Sequence, residues 1–370
     1  MDRPLRILHA VVNMNRGGAE TLIMNLYRNM DRKLIQFDFL TSKPGEFDEE
    51  IEKLGGKVHR IPYMTDVGHL QYQKELRAFF QKNCYSVVHA HMDKMSGFVL
   101  HAAKKYGVPI RIAHSHNTSS EGGFAARLYK ELAGLFIERS VTHRFACSSE
   151  ASRWLFKKTS HQALVIKNGV EAHLFKYSEW TRESIRKDLG LKPNHFVLGH
   201  IGRFQKQKNH AFLVKLLKDL IQVDPRFHLL LVGDGDLRQA TEQLFTEAGV
   251  RENVTFLGVR SNVNELLQAM DVFVFPSFHE GLPVTLVEAQ STGIPCLISN
   301  RISTEVDLGM NLVSFLSIET TEEWIDQLIH IHQMERVRNS DLDQIKKQGY
   351  DIRDTAEQTA TIYLQLGGTG

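Results

Sequence analysis

The sequence predicts an α/β protein built from two doubly wound, parallel-sheet domains. Three observations carry this. Short β-branched runs alternate with helix-spaced segments along most of the chain. The alternation stops at a polar stretch and begins again near Phe196. The length, 370 residues, exceeds what one hydrophobic core usually organises.

In the first half, strands are expected at Arg6–Val12, Gln36–Thr41, Lys57–Ile61, Val87–His91, Arg111–His116, Arg144–Cys147 and Ala163–Ile166. Helices are expected over Ala19–Met30, His69–Lys82, Ser96–Tyr106 and Phe124–Ser140. In the second half, strands are expected over residues 196–202, 227–233, 254–259, 272–277 and 295–299. The helices there are Ala211–Gln222, Leu237–Ala248 and Pro283–Ser291. Such alternation builds parallel sheets covered on both faces. Glu171–Asn194 is polar and reads as the connection, with one short helix over Thr181–Leu189. The domains are then an N-terminal Rossmann-like unit over 1–175, joined by a C-terminal helix over 354–366, and a C-terminal Rossmann-like unit over 176–353. They are expected to face each other across a cleft. The closing Gly-Gly-Thr-Gly reads as a disordered tail.

Composition narrows the class. With 42% hydrophobic and 24% charged residues the chain is an ordinary globular one, not a disordered one. It has no run of eighteen apolar residues, so no membrane span is expected. The apolar stretch near the N-terminus ends at Asn13, Asn15 and Arg16 with no small-residue cleavage site, which argues against a secretory signal. Cys84, Cys147 and Cys296 are far apart and read as reduced thiols, placing the chain in the cytoplasm. The net charge of +2 hides an asymmetry. Residues 1–175 hold 25 Lys+Arg and 17 Asp+Glu, a balance of +8; residues 176–370 hold 20 and 26, a balance of −6. A basic half can rest at the inner face of an anionic membrane or meet a phosphate-bearing acceptor, and it can also be merely solvated. No nucleic-acid partner is expected.

Ligands of open parallel sheets bind beyond the carboxyl ends of strands, and four segments stand there. Arg16-Gly17-Gly18-Ala19-Glu20 opens a helix after the first strand, where glycines allow close backbone approach and helix N–H groups can meet an anion. Gly202-Arg203, with Lys206 and Lys208 just beyond, gathers three cations at one strand end, enough to neutralise a diphosphate. Gly233-Asp234-Gly235-Asp236 contains Asp-x-Asp, but reads as a glycine turn because no further carboxylates complete an oxygen shell. The fourth segment runs from Phe275 to Ala289. Pro283 suits a first helical turn, so the N–H groups of Leu282, Val284 and Thr285 can point at an anion. Glu280 precedes that helix and Glu288 lies about two turns in. One can reach sugar hydroxyls and the other a ribose diol; a cap and a solvated carboxylate are the plain alternatives.

Glu280-Gly281-x-Pro283 followed by Glu288 resembles the signature of glycosyltransferase family 4, retaining enzymes of the GT-B fold. The resemblance covers nearly the whole chain. Gly17-Gly18-Ala19-Glu20, Asn168-Gly169-Val170, Gly202-Arg203 with Lys208, and Gly233-Asp234-Gly235 also match, although Lys167 stands where the family usually has proline. Asn15 to Thr21, Val88-His89-Ala90-His91 and His114-Ser115-His116-Asn117-Thr118 look most like the transferases of bacterial exopolysaccharide and capsule assembly. The resemblance implies that Arg203 and Lys208 hold a donor diphosphate. It implies Glu280 on the donor sugar, Glu288 on the ribose and the backbone of Gly258 and Val259 beside the base. Gly202, Gly281, Leu282 and Val284 complete the donor site, and Gly17 and Gly18 close over the phosphates. His116, with His114 as competitor, is implied beside the reacting sugar. His91 and Asp93 are candidates for the acceptor. The expected activity is transfer of a hexose from a nucleotide sugar, a UDP-sugar first of all, to a saccharide or lipid-linked saccharide, without a metal or other cofactor. A non-catalytic sugar-nucleotide-binding scaffold and a same-fold epimerase are the rival readings.

Overall fold

The structure, a computed structural model, describes residues 4–120, 123–334, 338 and 340–368. It divides into two units, Met1–Val170 with Gly349–Gly370, and Glu171–Gln348.

The first unit is a seven-stranded sheet in the order β3-β2-β1-β4-β5-β6-β7. Its strands are β1 Leu5–Ala10, β2 Ile35–Thr41, β3 Val58–Arg60, β4 Val87–Ala90, β5 Ile110–Ser115, β6 His143–Ala146 and β7 Ala163–Val165. All pairings are parallel. Two apolar clusters, one on each face, bury the sheet. That two-sided burial is why these strands read as continuous apolar runs rather than as alternations. The helix expected from His69 runs over Met64–Lys82 but is broken at Gly68, whose φ of 77° lies in the left-handed region. The last helix, Ile352–Gly367, packs into this unit through Ile352, Ala356 and Tyr363, all buried. Gly367 therefore closes a helix rather than opening a tail; Thr369 and Gly370 lie outside the described residues.

The second unit is a six-stranded parallel sheet, ordered β10-β9-β8-β11-β12-β13. Its strands are β8 Phe196–Ile201, β9 Phe227–Val232, β10 Val254–Gly258, β11 Val272–Phe275, β12 Cys296–Ser299 and β13 Val313–Leu316. Sequence reading misses β13, a four-residue edge strand with no fully buried residue. The polar stretch read as a connection is instead part of this unit. Arg182 and Arg186 in its helix, Glu179–Asp188, bond Asp271 at 2.5 and 3.3 Å, and Phe175 is buried in the unit's core. Charge patterning makes such a stretch look solvated, because its anchoring partner lies some ninety residues away.

Each sheet reverses its strand order once, between β1 and β4 and between β8 and β11. Those two switch points are where crevices open at the strand ends.

Candidate active site

In the second unit the loops after β8 and β11 are fastened together. Gln207 Nε2 donates to the His279 carbonyl at 2.7 Å, the Phe278 N–H donates to the Gln207 carbonyl at 2.9 Å, and Asn209 Nδ2 donates to the Pro276 carbonyl at 3.2 Å. Asn209 takes a left-handed conformation, φ 56°, to start the helix His210–Val223. This lacing brings Lys208 Nζ to 2.8 Å from Glu280 Oε1 and 4.6 Å from the centre of the Phe275 ring. Both charged side chains are largely buried, so the pair is a preformed cation in a partly dry pocket rather than a surface salt bridge. Arg203 is exposed at the same strand end.

The Gly233-Asp234-Gly235 turn supports this loop. A Cβ on Gly233 would stand 2.2 Å from the Gly202 carbonyl oxygen, and one on Gly235 2.7 Å from that of Phe204. The Phe204 N–H donates to the Asp234 carbonyl at 3.0 Å. Glycine is required here so that backbone can lie on backbone. Asp234 Oδ1 accepts from the Gly235 N–H at 2.8 Å. Among the described residues, no third carboxylate, His or Cys joins Asp234 and Asp236.

Pro283 precedes the helix Val284–Ser291, whose first turn is closed by the Leu286 N–H on the Pro283 carbonyl at 3.0 Å. Glu288 lies within this helix, and burial pushes its carboxyl up to about 7. Gly258 ends β10 with φ 67°, and Val259 beyond it is 52% exposed. Ser277, in the loop after β11, is fully buried with its Oγ unpartnered among the described residues.

In the first unit the strand ends carry imidazoles. His9 on β1 pairs in register with His89 on β4. His9 Nδ1 lies 3.0 Å from His91 Nε2, and His91 Nδ1 lies 2.8 Å from His116 Nε2. Burial lowers the pKa of all five clustered histidines, His9 and His116 to about 3, and His89, His91 and His114 well below the ordinary value. They are therefore neutral at pH 7. His114 is 1% exposed, whereas His116 and His91 are only partly buried. Asp93, at φ 48°, accepts from Asn117 Nδ2 at 2.9 Å. Gly17 caps the helix Gly18–Asn29 in an extended conformation, and a Cβ on Gly18 would meet nothing within 4 Å.

Residues 17–169 match the family model described as a glycosyl transferase 4-like domain, and residues 181–348 that of glycosyl transferases group 1. EpsF of Bacillus subtilis (strain 168), which bears a glycosyltransferase name, is 38% identical across 97% of this chain and 96% of its own. The chain belongs to glycosyltransferase family 4. The Staphylococcus aureus capsular polysaccharide biosynthesis glycosyltransferase CapH is 25% identical over 97% of this chain and 99% of its own. An Escherichia coli UDP-Gal:alpha-D-GlcNAc-diphosphoundecaprenol alpha-1,3-galactosyltransferase is 30% identical over 61% and 60%. Among solved structures, Anabaena Alr3699/HepE in complex with UDP-glucose superposes with a TM-score of 0.75 at 20% identity, covering 99% of both chains. The architecture is thus the GT-B fold, and the protein is a glycosyltransferase.

In this glycosyltransferase the structure gathers Gly202, Lys208 and Glu280 at one switch point, and His91 and His116 at the other. Sequence reading gives His9 no mention and His89 no site role beyond its place in the Val88-His89-Ala90-His91 motif. For His89 the signal is His-x-His, shared by His89/His91 and His114/His116, which puts each pair on one face of its strand; His9 carries no such signal. Only the adjacency of β1, β4 and β5 turns them into a cluster.

Proposed function

We propose that this glycosyltransferase moves a hexose from a UDP-sugar to a saccharide or lipid-linked saccharide, with retention, during exopolysaccharide or capsule assembly. The observation that carries the donor reading is the Lys208–Glu280 pair beside exposed Arg203 at the second unit's switch point. Lys208 and Arg203 neutralise the diphosphate. Glu280, held by Lys208, receives hydroxyls of the donor sugar. Glu288 accepts from the ribose diol, and the Gly258–Val259 backbone borders the base. Gly281, Leu282 and Val284 present backbone to the phosphates, as do Gly17 and Gly18. The neutral ring of His116 is the group assigned to a hydroxyl of the reacting sugar; His91 and Asp93 are assigned to the acceptor. UDP-glucose in HepE and the UDP-Gal donor in the name of the E. coli relative support the choice of base. That relative's name and CapH's support the acceptor class and the pathway.

In the transfer, the bond from the anomeric carbon to the diphosphate oxygen breaks and a bond to the acceptor oxygen forms on the same face. The acceptor's proton passes to the departing phosphate. Charge grows on that phosphate, where preorganised cations act most strongly. No metal is assigned to this step, so transfer persists in a chelator; loss restored by manganese or magnesium would overturn that assignment. The donor is tested by a thermal-shift screen of nucleotide sugars, since a ligand of the folded state raises its apparent stability. A shift with no uridine nucleotide would refute the choice of base. An inverted anomeric centre in the isolated product, read by NMR, would refute retention.

The acceptor reading includes contact with a membrane. Among the described residues no helix is long and apolar enough to cross one. The helix Phe124–Ser140, however, exposes Phe124 (86%), Leu128 (55%), Leu132 (51%) and Leu135 (61%). Spacings of three and four residues align them as a stripe, with Arg127 exposed beside it. The basic segment with Arg153, Lys157 and Lys158, which places apolar Trp154, Leu155 and Phe156 among its cations, offers no such stripe. Leu155 and Phe156 are buried core residues, and Trp154 packs against that core beneath Lys94.

A further inference from the structure

Resting on the assignment of Lys208 to the donor diphosphate, we propose that His200 is a positioning residue for that lysine. Its Nε2 accepts a hydrogen bond from the ammonium when the diphosphate draws Lys208 away from Glu280.

His200 lies on β8, two residues before Gly202, and is fully buried. Its Nδ1 is 2.9 Å from the Val274 carbonyl oxygen on β11. A carbonyl only accepts, so Nδ1 carries the proton. Burial holds the ring neutral, and His210 and the Lys208 charge act in the same direction. A neutral imidazole has one N–H, so Nε2 is left as a bare acceptor. That nitrogen has no hydrogen-bond partner among the described residues, although buried polar atoms are normally paired. A phenylalanine would fill the same place, beside the rings of Phe273 and Phe275 at 6.5 and 5.7 Å, without stranding an atom.

Lys208 has the complementary surplus. An ammonium offers three N–H groups. Among the described residues one is used, on Glu280 Oε1 at 2.8 Å. The lysine also runs past His200. A Cβ on Gly202 would stand 3.0 Å from Lys208 Cε and 3.2 Å from His200 Nε2. The end of the lysine and the bare nitrogen thus lie against the same glycine, and rotation about the last carbon–carbon bond of the side chain redirects the ammonium between them.

The two acceptors differ in charge. A carboxylate partner cancels the charge that a diphosphate needs. A neutral imidazole orients the ammonium and leaves its charge intact, with further N–H groups free for phosphate oxygens. His210 is the other imidazole nearby, its ring centre 5.0 Å from that of His200. It stacks on Phe204 at 4.1 Å, and no hydrogen bond among the described residues fixes its tautomer. His200 alone presents an acceptor that the fold has set.

The test is a double-mutant cycle on the full chain, read as UDP affinity by calorimetry. His200→Phe should weaken UDP about tenfold, the size of a hydrogen bond to a charged group. In the Lys208→Ala background it should have no further effect, because residues that act as one unit are not additive. His200→Gln, whose amide oxygen can accept where Nε2 stands, should recover most of the affinity. A purely structural histidine would weaken both backgrounds alike, and that additivity would overturn the role, as would unchanged affinity in His200→Phe. Should His200→Phe not fold, NMR of the chain labelled with 15N-histidine decides, the His200 signal being the one missing from His200→Gln. On addition of UDP the Nε2 resonance should move towards that of a hydrogen-bonded nitrogen in the wild type and stay in place in Lys208→Ala. A resonance that UDP leaves unmoved refutes the role. Unchanged UDP affinity in Lys208→Ala alone would instead sink the donor reading, so the two failures are distinguishable.

Discussion

The two units share one plan, a parallel sheet with a single reversal of strand order, yet they furnish their switch points with opposite chemistry. The second unit places Lys208, Glu280 and Arg203 there. The first places neutral imidazoles, two of them on a hydrogen-bonded path through His91. A diphosphate needs charge that is already in position, and a chain holds buried charge only in pairs. Sugar hydroxyls need groups that donate or accept without competing for the phosphate, and a neutral imidazole does that. The difference teaches that the fold fixes where a ligand sits and the residues at the strand ends decide which part of it.

The largest effect is expected where that charge is removed. Lys208→Ala loses the cation and the bond it makes to the largely buried Glu280. Loss of one preorganised donor costs about 2.7–4 kcal/mol in the transition state, or about a hundred- to a thousandfold in turnover. Nucleoside diphosphate affinity, measured by calorimetry, should fall with it. Unchanged affinity and rate would place the diphosphate elsewhere and undo the contrast between the units. Arg203→Lys should also be harmful, since an ammonium cannot reproduce bidentate contacts.

Much of this contrast is legible in the sequence, and the reasons are local. Twelve of the thirteen strands are visible as β-branched runs, because burial on both faces leaves little polar interruption. β13 is not visible, being short and only partly buried. The motifs after β8 and β11 are readable because loop and helix chemistry is set by neighbours in sequence: Pro283 before its helix, and glycines where backbone packs on backbone. Contacts between remote segments are not readable. The Lys208–Glu280 bond spans 72 residues, and the bond from His91 to His116 spans 25 across two strands. Arg182 and Arg186 look solvated until Asp271 is brought to them.

A middle-sized effect should separate the two glutamates. Glu280→Gln is expected to lower turnover while leaving free UDP affinity unchanged or raised, since Lys208 is then released to the diphosphate. Measured at pH 8, where the carboxyl has lost its proton, Glu288→Gln should weaken free UDP about tenfold, the worth of a hydrogen bond to a charged acceptor. If both variants bind UDP as the wild type does, the ribose assignment is wrong. Glu288 also carries a pH signature. Its carboxyl is raised to about 7 in the folded chain against an ordinary 4.5, so between those values the folded state holds a proton that the unfolded state has lost. Stability contributed by this group is complete below the unfolded value and declines as pH rises to about 7. After allowance for partial exposure, the decline is on the order of 2 kcal/mol. Urea unfolding at pH 5 and pH 8 should show this decline in the wild type and its loss in Glu288→Gln. An identical pH dependence in the two would contradict the buried, protonated state.

The smallest effect concerns the outside of the first unit, where the comparison turns from strand ends to surface. That half carries the +8 balance, and its helix Phe124–Ser140 shows the stripe Phe124, Leu128, Leu132 and Leu135 to solvent. Only Ala133, Ile137 and Ser140 of this helix are buried, and Tyr129 and Phe136 pack beside them against the core, so the stripe is not its core face. An apolar stripe flanked by cations can lie at the boundary of headgroups and acyl chains without crossing the bilayer. Each well-placed Lys or Arg contributes about 1 kcal/mol near an anionic surface, and salt screens that share within a Debye length of about 10 Å at 0.1 M. The apolar share is not screened. Co-sedimentation should therefore find the protein on anionic but not neutral vesicles at low salt, with binding reduced at high salt. Leu128→Glu with Leu132→Glu should release it at low salt, because both the buried apolar area and the charge balance are lost, while UDP affinity stays at the wild-type value. Arg127→Gln alone should weaken binding severalfold. Equal sedimentation on both vesicle types, or no change in the double variant, would detach the stripe from the membrane and leave a soluble saccharide as the acceptor to pursue.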